Sequence, residues 1–223
     1  MLRETSAAVQ DYLKALYLES PTGGERRFVS TNAVANRLDV SAASATNMLK
    51  KLGTLGFVNH VPYRGAELTE RGRRVALEVV RHHRLLETYL AEALDVPWDE
   101  VHAEAEILEH VLSEQLEQRI SERLGNPLVD PHGHPIPSEE LSVPEVSGAL
   151  LWDALEGKQV TVRSVSDSIP DALRYLGSIG IRPGARLQVV ARGPVGGPLF
   201  VKVGDGGSPV ALSREVAEAI WVS

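Results

Sequence analysis

Apolar side chains recur from Ser6 to Leu18 as Val9, Leu13, Leu16 and Tyr17, the i, i+4, i+7, i+8 spacing of an amphipathic helix. Pro21 to Gly24 breaks it. Ser30 or Thr31 then caps a short helix through Ala33, Val34 and Leu38, and Asp39-Val40 makes a tight turn. Ser41 caps a third helix with an inner stripe of Ala45, Met48, Leu49 and Leu52. Its outward positions are small and polar first (Ala42, Ala43, Ser44, Thr46, Asn47), then basic (Lys50, Lys51). After Gly56 the period changes to two. Phe57 to Val61 and Ala66 to Leu68 read as strands around the turn Pro62-Tyr63-Arg64-Gly65. Thr69 opens a long helix to Leu94.

A short helix, a tight turn and a helix that starts with small polar residues describe a helix-turn-helix, and the hairpin is its wing. Small residues let the third helix enter a major groove. Ser44, Thr46 and Asn47 then face bases or phosphates, and Lys50 and Lys51 face phosphates. Arg64 stands at the wing tip. The candidate DNA contacts are Arg27, Ser41, Ala43, Ser44, Thr46, Asn47, Lys50, Lys51 and Arg64. Any one lysine by itself reads more readily as a solvated surface; the ordered set of elements carries the inference.

Further along, the pattern predicts one helix from Val101 to Leu124. His102, Glu106, Glu109 and His110 fall within an arc of about 100° on its wheel. Val101, Ala105, Leu108 and Leu112 lie beside that arc. On the preceding helix His83 and Glu87 stand four apart, on one face, with Leu86, Tyr89 and Leu90 supplying apolar surface. Imidazoles and carboxylates gathered in this way outline first-row divalent metal sites. Two sets can be assembled: His83, Glu87 and His102; and Glu106, Glu109 and His110 completed by Asp11 of the first helix. A lone His83–Glu87 pair would more simply be a helix-surface interaction. Two long helices with surplus apolar positions predict a dimer interface, which a reader of two DNA half-sites needs.

Gly125 to Ser142, with four prolines, reads as a loop. Its His132 and His134 are expected to be exposed and structural. From about Glu156 the texture alternates: Val160, Val162, Val165; Leu187, Val189, Ala191; Leu199, Val201, Val203. Gly/Pro turns separate these runs, the signature of a small β-barrel. Ile169 to Ile179 and Ser213 to Ala219 read as helical insertions.

Charge sharpens this division. Residues 1–75 hold 11 Lys and Arg against 7 Asp and Glu, residues 76–140 hold 4 against 15, and residues 141–223 hold 8 against 8. A basic head joined to an acidic middle fits a phosphate-binding part joined to a cation-binding part. With no cysteine there is neither a thiolate ligand nor a disulfide. Carboxylate and imidazole donors favour Mn(II) or Fe(II), while Zn(II), Co(II) or Cd(II) can substitute in vitro. No apolar run reaches the ~18 residues of a membrane span. The first residues, MLRETSAAVQDYLKALY, lack the apolar centre of a signal peptide, so a cytoplasmic location is expected.

These residues resemble the DtxR/MntR family of metal-dependent repressors. The likeness runs the full length, through DYLKALY, LDVSAASATNMLKKLGTLGFV, RGAELTERGR, HHRLLETYL, VHAEAEILEHVLSE and DPHGHPIP. It implies a mostly α protein with a small β part. The expected parts are a winged helix-turn-helix over 1–74, a helical dimerisation and metal domain over 75–142, and an SH3-like (FeoA-like) barrel over 143–223.

The resemblance also implies a homodimer on a palindromic double-stranded operator, controlling metal-homeostasis genes, with no organic substrate and no enzymatic activity. It makes His83, Glu87 and His102 the ancillary site, and Asp11, Glu106, Glu109 and His110 the primary site. Glu106 and Asp11 resemble the manganese type, where iron-type members have Cys and Met; His102 resembles the iron type. Lys14 replaces an acidic residue that manganese-type members often carry. Asp167 and Asp171 stand where iron-type members offer Glu and Gln from the SH3-like domain, and are further candidate ligands. An iron-responsive regulator is the nearest alternative. From other classes come a dimetal hydrolase and a winged-helix regulator that senses an organic ligand.

Overall fold

In the computed structural model, residues 5–20, 28–144, 148–204 and 206–223 are described. The chain forms two compact units. One comprises Met1–His83 with Leu108–Leu112 and Pro137–Ser142; the other comprises Arg84–Ile107, Ser113–Ile136 and Val143–Ser223.

The first unit contains α1 (Ala7–Leu18), α2 (Thr31–Arg37), α3 (Ala42–Thr54) and the antiparallel hairpin β1 (Val58–Val61) and β2 (Gly65–Leu68). Ser30 and Ser41 cap α2 and α3: their hydroxyls accept from the Ala33 and Ser44 amides at 3.1 Å each. Such caps contribute about 1 kcal/mol apiece. Asp39 takes the left-handed conformation between the helices, at φ 50°. Val29 exchanges backbone hydrogen bonds with Ala66 at 2.8 and 2.9 Å, pinning the segment before α2 to the wing. Gly65 is required there, because a Cβ would sit 2.0 Å from the Val29 carbonyl oxygen. Leu13, Leu16, Val34, Leu49, Leu52, Val75 and Val79 fill the core. On α1 it is Tyr12 that is buried; Tyr17, expected in the stripe, is half-buried under the Arg73 guanidinium.

The long helix α4 (Glu70–Leu94) contributes residues to both units and starts with the Gly72 amide bonded to the Thr69 hydroxyl at 3.2 Å. The single helix expected over 101–124 is two: α5 (Val101–Leu108) and α6 (Glu114–Arg123). Ser113 is extended and its hydroxyl accepts from the Leu116 amide, so it caps α6, whose first turn holds Glu114 and Glu117. A cap and acidic residues at a helix start outweigh the propensity to continue.

In the second unit, β3 (Ala149–Leu150), β4 (Gln159–Val165), β5 (Arg186–Arg192), β6 (Leu199–Val203), β7 (Val210–Leu212) and β8 (Ile220–Val222) form an antiparallel sheet of order β3-β8-β4-β5-β6-β7. α7 (Pro170–Ser178) and α8 (Arg214–Glu218) are its helical insertions. Its core takes Leu151, Val162, Leu173, Leu187, Val201 and Ile220, and also Trp98 from the segment after α4.

Candidate metal centre

α1 brings Gln10, Asp11 and Lys14 together with the turn that follows α5. Because the helix ends at Leu108, Glu109 and His110 lie in this turn and not on a helical face. The His82 ring nitrogen bonds the Glu109 carbonyl at 3.1 Å and holds the turn in place. Asp11 Oδ1 stands 2.9 Å from His110 Nε2. The other ring nitrogen, Nδ1, donates to Gln10 Oε1 at 2.6 Å, and the Gln10 amide nitrogen donates to Thr5 Oγ1 at 3.2 Å. Gln10 therefore holds the neutral tautomer in which His110 Nε2 carries the lone pair, so that Nε2 and the Asp11 carboxylate face each other as two electron-pair donors a cation would bridge.

Glu109 is fully buried. Its Oε2 lies 2.7 Å from the Lys14 ammonium and 2.6 Å from His83 Nδ1, and Lys14 Nζ is 3.1 Å from the same imidazole. Its Oε1 has no hydrogen-bond partner among the described residues and is 3.7 Å from His110 Nε2. Asp11, Glu109 and His110 offer donor atoms all within 4.8 Å of one another. Two carboxylates, one of which carries the orphaned buried Oε1, and one imidazole suit a hard divalent cation.

In the second unit, His102 Nδ1 is 3.2 Å from Glu87 Oε1 and 3.5 Å from Asp167 Oδ2, and His102 Nε2 is 3.7 Å from Glu106 Oε1. Burial works against ionising Asp167, and so does Glu87. The His134, His102 and His132 imidazoles outweigh them and hold its carboxyl below the usual range. Asp171 is not brought in: it is exposed and pairs with Arg174 at 2.8 Å.

His132 differs from expectation. It is fully buried, stacks on Trp98 with centroids 5.7 Å apart, and donates from Nε2 to the Trp98 carbonyl at 2.7 Å. Burial pulls its pKa down, but the hydrogen bond and charge of Glu87, the charge of Asp130 and the Trp98 carbonyl push it up to about 9. His134 is partly buried, 3.3 Å from Asp130.

On the DNA-binding candidates, Ala43, Ser44, Asn47, Lys50 and Lys51 are exposed along α3. Ser41 is occupied as the cap, and the Thr46 hydroxyl donates to the Ala42 carbonyl at 2.7 Å. Arg64 is exposed and lies over the Phe28 ring at 4.8 Å. Arg27 is outside the described residues. Tyr63, not singled out by the sequence, is fully exposed at the wing tip with φ 64°. Gln10 and the Lys14–Glu109 pair were also missed; nothing in their spacing points to partners so far along the chain. For His132 a signal existed. Asp130 accepts the His132 and His134 amides at 2.8 and 2.9 Å, the turn that Asp-Pro-x-Gly favours.

Three family models match the chain. They are the iron-dependent repressor N-terminal DNA-binding domain over residues 4–66, the iron-dependent repressor metal-binding and dimerisation domain over 69–138, and the FeoA domain over 150–223. The iron-dependent repressor IdeR of Mycobacterium tuberculosis is 36% identical over 201 residues, covering 85% of this chain and 86% of the relative. The regulator MntR of Oceanobacillus iheyensis is 32% identical over 106 residues, 48% of this chain and 69% of the relative. A solved manganese-dependent transcriptional repressor in complex with manganese is 43% identical with a TM-score of 0.88, covering 96% of this chain and 98% of that one. A winged-helix head, a carboxylate–imidazole centre and a C-terminal sheet thus define a metal-responsive transcriptional repressor. The chain belongs to the DtxR/MntR family.

Proposed function

We propose that this chain is a manganese-responsive, DNA-binding regulator of metal-homeostasis genes that acts in the cytoplasm as a homodimer on palindromic operators. The observation that carries the reading is the meeting of Asp11, on α1 of the DNA-binding unit, with Glu109 and His110. Asp11, Glu106, Glu109 and His110 are assigned as one ligand set. His83, Glu87 and His102, with Asp167, are assigned as the other. A bound divalent ion supplies positive charge shared among these carboxylates. Asp11 then ties α1 to the ligand turn, Gln10 orients His110, and Lys14 compensates the buried Glu109.

Manganese is favoured by the oxygen-rich donors and by the likeness to the manganese-dependent repressor. An iron-responsive regulator is the second reading, supported by His102 and the likeness to IdeR. Exposed Ile107 and Leu116 on α5 and α6 support association of two chains. The division into 1–74, 75–142 and 143–223 is supported by the spans of the three matching family models. A regulator is proposed over a hydrolase because the His and carboxylate groups link to a winged helix.

Selection of duplexes from a random-sequence DNA pool, with Mn(II) or with chelator at fixed salt, tests this reading. A palindromic sequence enriched only with metal supports it. Equal enrichment in both arms would favour a regulator that ignores metal.

A further inference from the structure

The wing ends in a side chain that the fold does not use. Tyr63 is fully exposed, and among the described residues no hydrogen bond or ring contact holds it. Its backbone takes the left-handed conformation at φ 64°. A bulky aromatic rarely adopts that conformation, whereas Asn or Gly takes it with little strain. Tyr63 thus adds strain without adding packing, and outliers of this kind gather at functional sites. We propose that Tyr63 reads DNA: its ring enters the minor groove beside each half-site, packs on the deoxyribose walls, and selects A·T pairs there through its hydroxyl. The proposal rests on the DNA-binding reading above and deepens it.

The tip is carried on a rigid mount. Val29 pins β2 through its two backbone hydrogen bonds with Ala66. β1 runs beside the end of α3: a Cβ on Gly53 would lie 3.7 Å from the His60 Cβ. The Arg64 amide donates to the Val61 carbonyl at 3.1 Å and closes the turn. Tyr63 is therefore held in a fixed relation to α3, whose Ala43, Ser44 and Asn47 are exposed. With that helix in a major groove, a hairpin fixed beside it faces the adjacent minor groove and its phosphate rim.

The chemistry of the tip fits that place. Val61, Pro62, Tyr63 and Arg64 are all exposed, so apolar surface stands beside one cation. Arg64 is the only charged residue from Val61 to Gly65. The nearest carboxylate along the hairpin, Glu67, accepts from the Asn59 side-chain amide at 3.2 Å. Phosphates can approach the tip without meeting a free carboxylate. Tyrosine joins an apolar body to a polar end. A minor groove about 6 Å wide admits its ring edge-on. At A·T pairs the groove floor offers only acceptors, to which the phenol O–H donates; at G·C pairs the guanine N2 amine fills the floor.

The test uses the full chain with Mn(II) in three forms: the parent, Tyr63→Asn and Tyr63→Phe. Each selects duplexes from a random-sequence pool. Fluorescence anisotropy then gives its affinity for the duplex the parent selects, and a melting curve is recorded for each protein. Tyr63→Asn removes ring and strain together. It is expected to melt at or above the parent's temperature, yet to bind that duplex about tenfold more weakly, or about 1.4 kcal/mol. Tyr63→Phe keeps the ring and the strain and loses the hydroxyl. It is expected to keep most of the affinity, while its selected duplexes lose the A·T preference beside each half-site. Parent-like affinity in Tyr63→Asn would overturn the proposal and leave the regulatory reading intact. So would an A·T preference that is absent from the parent's duplexes or undiminished in those of Tyr63→Phe. A lower melting temperature in Tyr63→Asn would show that the ring serves the fold, with the same consequence. Failure of the parent to enrich any duplex with Mn(II) would overturn both readings.

Discussion

Asp11 Oδ1 and His110 Nε2 stand 2.9 Å apart, which joins the first helix of the DNA-binding unit to the turn that carries Glu109. Gln10, one residue earlier, holds the opposite face of the same imidazole at 2.6 Å. Gln10→Ala removes the group that sets the tautomer without removing a ligand. Mn(II) affinity is expected to fall about 10–100-fold, the usual effect of losing a ligand's outer partner. Calorimetry with Mn(II) measures it, and an unchanged affinity would show that Gln10 does not orient His110.

Lys14 and Glu109 form a buried pair at 2.7 Å. Lys14→Met leaves the carboxylate uncompensated, and the metal-free protein is expected to lose about 3–5 kcal/mol. Adding Mn(II) should restore more stability to the variant than to the parent, because the ion takes over the missing charge. Urea unfolding with and without Mn(II) checks this; equal metal-induced gains in the two proteins would argue that Lys14 and metal do not share Glu109.

Position 106 bears on metal choice. Glu106→Cys replaces a hard oxygen donor with a soft thiolate, so preference should move from Mn(II) toward Fe(II) or Zn(II). Competition dialysis among the three ions gives the ranking. Should the ranking stay as in the parent, Glu106 is not a ligand, and its place beside His102 at 3.7 Å is only a helix-face contact.

On α3, exposed Lys50 follows the small polar start of the helix. Lys50→Ala should weaken DNA binding uniformly across sequences and reduce the slope of log affinity against log salt by about one. A slope equal to the parent's would mean that Lys50 meets no phosphate.

The winged helix was legible because each element announces itself locally: serine caps, an apolar stripe, a glycine stop, a period of two. The break between α5 and α6 was hidden, since apolar and acidic residues keep helical spacing straight through the turn after Leu108 to Ser113, whose hydroxyl caps the start of α6. Three-residue strands such as β7 and β8 are too short to show a period; they exist because their neighbours β6 and β4 pair with them. Candidate ligands could be named from residue type and spacing. Their surroundings could not: Gln10, Lys14 and His132 acquire their partners through contacts remote in sequence, and the burial of His132 depends on Trp98.

The central claim is that divalent metal at Asp11, Glu109 and His110 controls DNA binding. The most direct measurement is fluorescence anisotropy of a metal-selected duplex at fixed salt, titrated with the chain in Mn(II) or in chelator. Coupling of about 1–3 kcal/mol corresponds to an affinity about 5–150-fold higher with Mn(II), and Asp11→Ala should abolish the difference. Equal affinity in Mn(II) and chelator for the parent chain would contradict it.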